Sequence, residues 1–239
     1  MASRSAFNRA AELLAEFRSD LESFVSLEVV EACVGQYYEL APALAISYHC
    51  FVDSASGSGK DAFSLAISHK EDNNIFIDCV REKRPPFKPG EVIEEFASLL
   101  QNYHIRKVVG DRYAGGFPPE SFAKCGFQYE PVKKTKSELY TDLLPLLNSA
   151  RITLPRNERL VSQIVSLERT VTRGSGKENI DHPREMHDDA ANAAAGAAML
   201  ALTHGHYLSA ITKAVALDGV EGAARKPRLR LVGNHWEPV

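Results

Sequence analysis

Apolar positions at the start of the chain recur at helical spacing. Leu13, Leu14, Phe17, Leu21 and Phe24 give Phe7–Val25 one apolar stripe, which predicts an amphipathic lead-in helix. From Leu44 the pattern changes to compact apolar runs. Leu44–Val52 reads as a buried strand that stops at Asp53, and Ala62–Ser68 and Ile75–Val80 read as two more. The Gly/Ser stretch Ser54–Lys60 and the polar turn Lys70–Asn74 separate them, and connections this short make the three strands antiparallel neighbours. Beyond Lys88-Pro89-Gly90 helix and strand alternate. Val92, Ile93, Phe96, Leu99 and Leu100 mark one face of a helix, and His104–Gly110 returns as a strand ending at Asp111. Glu120–Lys124 is a short helix and Phe127–Pro131 a short strand. Ser137–Ser149 and Asn157–Leu167 are helices flanking the strand Arg151–Leu154. Thr170–Pro183 is polar and contains glycine, as an exposed hairpin or loop would. Asp188–His204 is a helix with a body of alanines, and Gly219–Val239 is an Arg-rich frayed tail.

Three hairpin-linked strands followed by alternating helix and strand predict an α/β fold: a central mixed β-sheet with helices on both faces, in the order found in RNase H-like domains. Residues 1–40 are expected to be linker and lead-in helix, 41–208 the folded domain and 209–239 a C-terminal tail. Composition adds exclusions. With 239 residues, 44% apolar and 25% charged, the chain is neither disordered nor fibrous. Its longest unbroken apolar run, Ala193–Leu202, is half of what a membrane span needs. Met1–Asp20 carries charges throughout and no apolar block, so no signal peptide is read and an intracellular site of action is expected. Cys33, Cys50, Cys79 and Cys125 are scattered and form no metal or redox motif. The net charge of −3 announces no global affinity for nucleic acid, yet Arg151–Arg184 holds seven Arg/Lys against four acids, with Lys133, Lys134 and Lys136 just upstream. A chain that is slightly acidic overall can still carry such a basic patch.

The chemistry lies in the acids. Asp53 and Asp111 each follow an apolar strand and precede small residues, where a carboxylate meets no structural need. If the strands are neighbours, both carboxylates reach one sheet edge, and their repulsion calls for a cation between them. His187-Asp188-Asp189-Ala-Ala-Asn192 opens the alanine helix. One Asp there could be an N-cap, but two Asp and an Asn exceed capping needs. Small residues let this helix lie close on a sheet and bring its first turn to the strand ends. Clustered carboxylates are the ligands that Mg²⁺ and Mn²⁺ prefer.

Five stretches, in order over roughly residues 42–204, resemble the nuclease domain of the large terminase subunit, the DNA-packaging motor of tailed bacteriophages. They are Phe51-Val-Asp-Ser-Ala-Ser-Gly-Ser-Gly-Lys-Asp61, Val109-Gly-Asp-Arg-Tyr-Ala-Gly-Gly116, Lys136-Ser-Glu-Leu-Tyr140, Leu167-Glu-Arg-Thr170 and Ile180-Asp-His-Pro with His187-Asp-Asp-Ala-Ala-Asn-Ala-Ala-Ala-Gly196. The resemblance implies an RNase H-like nuclease domain over 41–208 and a metal-dependent endonuclease that cuts concatemeric viral DNA during packaging. Asp53, Asp111, Asp188 and Asp189 would be its catalytic residues and would hold two Mg²⁺ or Mn²⁺ ions, with the principal ligand of the last pair left open. Asp61 matches a recurrent acid of the first motif or caps the second strand. Double-stranded DNA, the portal protein and the small terminase subunit are the implied partners, and the cytoplasm of the infected bacterial host the implied location. The family's ATPase site has no counterpart. A phosphate loop would need Gly at Ser54 and Ser/Thr at Asp61.

Lys133, Lys134, Lys136, Arg169, Arg173 and Lys177 are candidate DNA contacts, or else a solvated face; Arg112 pairs with a site carboxylate or a phosphate, and Tyr113 and Tyr140 read as packing residues. His182 and His187 offer a weaker zinc reading. Two rival functions stand beside the packaging nuclease: a junction resolvase or RNA–DNA hybrid nuclease of the same fold, and a non-catalytic portal-docking module using Arg225–Arg230.

Overall fold

A computed structural model describes residues 21–111, 117–171, 178–217, 229–232 and 235–238. Its elements in chain order are β1 (Leu21–Ser23), α1 (Leu27–Glu31), β2 (Glu39–Leu40), β3 (Tyr48–Asp53), β4 (Phe63–Glu71), β5 (Asn74–Lys83), α2 (Pro89–Asn102) and β6 (Lys107–Gly110). They continue with α3 (Phe117–Lys124), β7 (Gln128–Pro131), α4 (Lys136–Asn148), β8 (Ile152–Thr153), α5 (Glu158–Val165), β9 (Glu168–Val171), β10 (Glu178–Asp181), α6 (Asp189–Leu217), β11 (Leu229–Val232) and β12 (His235–Pro238).

The central sheet has the order β7-β6-β3-β4-β5-β8. β3, β4 and β5 are antiparallel, as their short connections require, while β6, β7 and β8 join in parallel through helical crossovers. β4 lies inside the sheet with both faces covered, so Phe63–His69 is buried without alternation. On one face Val92, Ile93, Phe96 and Leu100 of α2 pack with Cys50, Val52, Leu65 and Ile67. On the other α4, α5 and the alanines of α6 cover Phe51, Ala66, Ile75 and Ile77. Each large apolar side chain buried in these layers contributes about 1.5–3 kcal/mol relative to exposure. The fold is the expected mixed sheet with helices on both faces.

Small residues set the distance between α6 and the sheet. A Cβ on Gly196 would lie 2.3 Å from Cγ of Phe51, and the Ser68 hydroxyl donates to the Ala197 carbonyl at 2.7 Å. No larger residue at 196 permits this approach.

Several boundaries differ from the sequence reading. The lead-in helix falls largely outside the described residues, and its end, Leu21–Ser23, is strand β1, paired with β9. Residues 24–40 pack into the body: Phe24, Val25, Val30 and Cys33 are buried in one core cluster. In the tail, β11 pairs with β2 and β12, an extended register that local patterning does not reveal. β3 begins only at Tyr48, because Ala45 takes a left-handed φ of 69° and leaves Leu44 80% exposed. The polar stretch after Leu167 is a hairpin, β9–β10, beginning before Thr170.

Candidate metal centre

The site assembles at the edge where β3 and β6 end. Val52 and Gly110 are register partners on these parallel strands, so Asp53 and Asp111 leave the sheet side by side. α6 approaches the same edge with its first turn. Asp188 precedes the helix and its carbonyl accepts from Asn192 N at 2.7 Å, while Gln163 Oε1 caps Ala191 N at 3.0 Å. Asp188, Asp189 and Asn192 are buried, and Asp53 and Asp111 are half-buried.

Asn192 joins the two strand-end acids. Its side-chain amide donates to Asp53 Oδ2 at 2.9 Å and to Asp111 Oδ2 at 2.8 Å. Burial and the neighbouring charges of Asp111, Asp189 and Asp188 hold the Asp53 carboxyl well above the usual carboxylate range, against the stabilising Asn192 bond. Burial also raises Asp111, which Asn192 and Lys136 partly offset. Burial lifts Asp189 to about 6, opposed by a bond from Ala62 N–H and reinforced by Asp61 and Asp188. Three acids from three elements are thus strained in their charged form.

Asp188 is differently placed. The Tyr140 hydroxyl donates to its Oδ2 at 2.7 Å, and Lys136 Nζ lies 3.0 Å from the same oxygen. Lys136 also pairs with Asp181 Oδ1 at 2.7 Å. Burial works against the ammonium, but Asp188 and Asp181 outweigh it and raise its pKa. Asp181, His182 and Asp188 carry ligand-type atoms within 4.8 Å of one another, and the lysine stands among them.

The structure therefore brings Asp53, Asp111, Asp188 and Asp189 to one place. Asp61, 72% exposed, faces His187 Nδ1 at 3.4 Å. The two rings considered for zinc have centroids 6.4 Å apart, and only His182, 3.6 Å from Asp188, reaches the ligand-type cluster. Among the candidate DNA contacts, Lys136 points into the site, Lys134 pairs with Asp142, Arg169 pairs with Glu178 across the hairpin, and Lys133 is exposed. Arg173 and Lys177 lie outside the described residues, as do Arg112, Tyr113 and Arg225. Asn192, Tyr140 and Asp181 emerge as site residues from the folded geometry. The quoted motifs contained all three, but only the packing of α4 and α6 shows what they touch.

The donor set fits a hard divalent cation. It consists of carboxylate oxygens, and Asp189 Oδ2 and Asn192 Oδ1 are buried with no hydrogen-bond partner among the described residues. Buried polar atoms left so are uncommon and point to a missing partner.

The central sheet, with helices on both faces, has an RNase H-like fold. The chain matches no protein-family model and no curated protein. Its fold matches solved structures of large terminase nucleases. That of the thermophilic phage G20c superposes with a TM-score of 0.61 at 17% identity, over 72% of this chain and 95% of that one, and has also been solved with bound magnesium and with bound cobalt. The nuclease domain of the large terminase subunit of bacterial virus Sf6, with manganese and beta-thujaplicinol, gives 0.55 at 14% identity over 74% and 98%. The HK97 bacteriophage large terminase gives 0.55 at 14% identity over 74% of this chain and 44% of that one. At these identities the likeness is one of fold.

Proposed function

We propose that the protein is a metal-dependent DNA endonuclease of the phage-packaging type, cutting concatemeric viral DNA by two-metal-ion phosphodiester hydrolysis. The observation that carries this reading is the convergence of four carboxylates from β3, β6 and α6 on one sheet edge, three of them with raised pKa and one with an unpartnered buried oxygen. The terminase nuclease fold, seen elsewhere with magnesium, cobalt and manganese, supports it.

Asp53, Asp111, Asp188 and Asp189 would hold two Mg²⁺ or Mn²⁺ ions. The ions would supply a lowered pKa for the attacking water and shared charge at the scissile phosphate. The protein's own part is preorganisation. Asn192 ties Asp53 and Asp111 together through its side-chain amide. Asp189 brings an open buried oxygen to the α6 pair, while Asp188 is held in place by Lys136 and Tyr140. Lys136 supplies a fixed positive charge beside the acids and offsets part of their repulsion. Lys133, Arg173 and Lys177 are the candidates left to follow the DNA backbone, which gives affinity without sequence preference. No described helix is long and apolar enough to cross a membrane.

Supercoiled plasmid incubated with the protein and Mn²⁺ should be nicked and linearised, with chelator and Asp53→Asn as inactive arms. Linear duplex, four-way junction and RNA–DNA hybrid in parallel separate a packaging nuclease from its rivals. No cleavage of any substrate in Mn²⁺ or Mg²⁺ would refute the enzymatic reading.

A further inference from the structure

The described residues include several buried tyrosines, and they differ in what their hydroxyls hold. Tyr37 donates to the carbonyls of Ile77 and Thr153 at 3.0 Å, Tyr103 chiefly to that of Leu40 with Glu39 Oε1 farther off at 3.4 Å, and half-buried Tyr129 to that of Asp111 at 3.0 Å. These satisfy a buried hydroxyl with backbone, the ordinary solution. Tyr140, fully buried, instead donates to a buried carboxylate, Asp188 Oδ2, at 2.7 Å. The other oxygen, Oδ1, accepts from Lys136 Nζ at 3.4 Å and lies 3.6 Å from His182 Nε2.

The scaffold that sets this contact is local and rigid. α4 opens with a complete capping box between Thr135 and Glu138, which anchors the turn carrying Lys136. Lys136 and Tyr140 stand four residues apart, so they share one face of α4, and both reach Asp188.

Building on the metal-dependent reading above, we propose that Tyr140 is a positioning residue of the acidic cluster: its hydroxyl holds Oδ2 of Asp188 and so fixes the orientation of that carboxylate. Groups that orient ligands in this way set metal affinity, and their loss weakens binding about 10–100-fold.

Tyr140→Phe keeps the ring and removes only the donor. The readouts are the Mn²⁺ concentration giving half the metal-induced rise in Tm, and the same midpoint for plasmid nicking. Both should move at least about 10-fold upward, with nicking at saturating Mn²⁺ returning to within a few-fold of wild type. Ser68→Ala is the control, because it removes another buried hydrogen bond to α6 far along the helix from the acids. It should lower Tm and leave the Mn²⁺ midpoint in place. Asp188→Asn combined with Tyr140→Phe should be no worse than Asp188→Asn alone, since the tyrosine acts through that carboxylate. An unshifted midpoint in Tyr140→Phe, an equal shift in Ser68→Ala, or a Tyr140→Phe chain that does not fold overturns the proposal while the nuclease reading stands. A wild-type protein whose Tm ignores Mn²⁺ overturns the metal reading, and this proposal with it.

Discussion

Replacing Asp189 by asparagine tests the electrostatic account of the site most directly. The carboxyl is buried and its pKa rises from 3.8 to about 6, mainly because burial penalises the charge. At 1.36 kcal/mol per unit of pKa, carrying that charge near pH 7.5 costs roughly 3 kcal/mol of stability. An acid whose folded pKa is raised contributes fully below its unfolded value, near 3.8, and loses that contribution as pH climbs toward about 6. Asparagine keeps the oxygen that accepts from Ala62 N–H but sheds the charge. It also gives up the favourable interaction of a carboxylate with a helix N-terminus, about 0.3–1 kcal/mol. The metal-free variant should therefore be roughly 2–3 kcal/mol more stable than wild type at pH 7.5. At about 2–4 °C per kcal/mol for a chain of this size, its Tm should be about 4–12 °C higher. The advantage should roughly halve near pH 5, be small near pH 4 and vanish only near pH 3, where wild-type Asp189 is protonated in both states. Mn²⁺ should cancel the advantage: an ion at 100 times its dissociation constant adds about 2.7 kcal/mol to wild type, comparable with the metal-free difference, and the variant has lost a ligand. The assay is thermal unfolding by circular dichroism in chelator and in Mn²⁺, at pH 4, 5 and 7.5. A variant that melts at or below wild type in chelator at pH 7.5, or an advantage that grows toward acid, would refute the reasoning.

Three further expectations follow from the same geometry. Asp53→Asn and Asp111→Asn should each reduce Mn²⁺-dependent plasmid nicking by at least about 100-fold, while Tm in chelator is unchanged or higher, because one of two facing charges is removed. Gly196→Ala should lower Tm despite better helix propensity, since its Cβ would meet the buried Phe51 ring at 2.3 Å; overpacking of this kind costs about 1–3 kcal/mol, and a neutral result in a melting curve would mean that α6 can move off the sheet. Lys133→Ala, and Arg173→Ala with Lys177→Ala, should flatten the salt dependence of duplex binding by about 0.9 per charge removed, measured by fluorescence anisotropy in Ca²⁺; an unchanged slope assigns these residues to a solvated face.

The sequence alone determined the layout of the sheet and the identity of its acids. Apolar runs of strand length joined by two short polar turns leave few alternatives to β3–β4–β5 as an antiparallel meander, and those signals are local. Asp53 and Asp111 were legible because each stands where an apolar strand stops, and the Asp188–Asp189 pair because it opens the alanine helix with more polar groups than capping needs. What only the tertiary structure decided was which groups meet. Asn192 bridges Asp53 and Asp111 across 139 and 81 positions of chain, and Tyr140 reaches Asp188 across 48. No periodicity encodes such distances, because they follow from α6 lying flush on Phe51 and α4 lying beside it. Lys136 shows the same limit. In a run with Lys133 and Lys134 it reads as one more surface cation, yet the capped first turn of α4 aims it at Asp181 and Asp188. β1 and β11 were invisible for a related reason. A strand of three or four residues has little pattern of its own, and β1 meets β9, and β11 meets β2, across long stretches of chain.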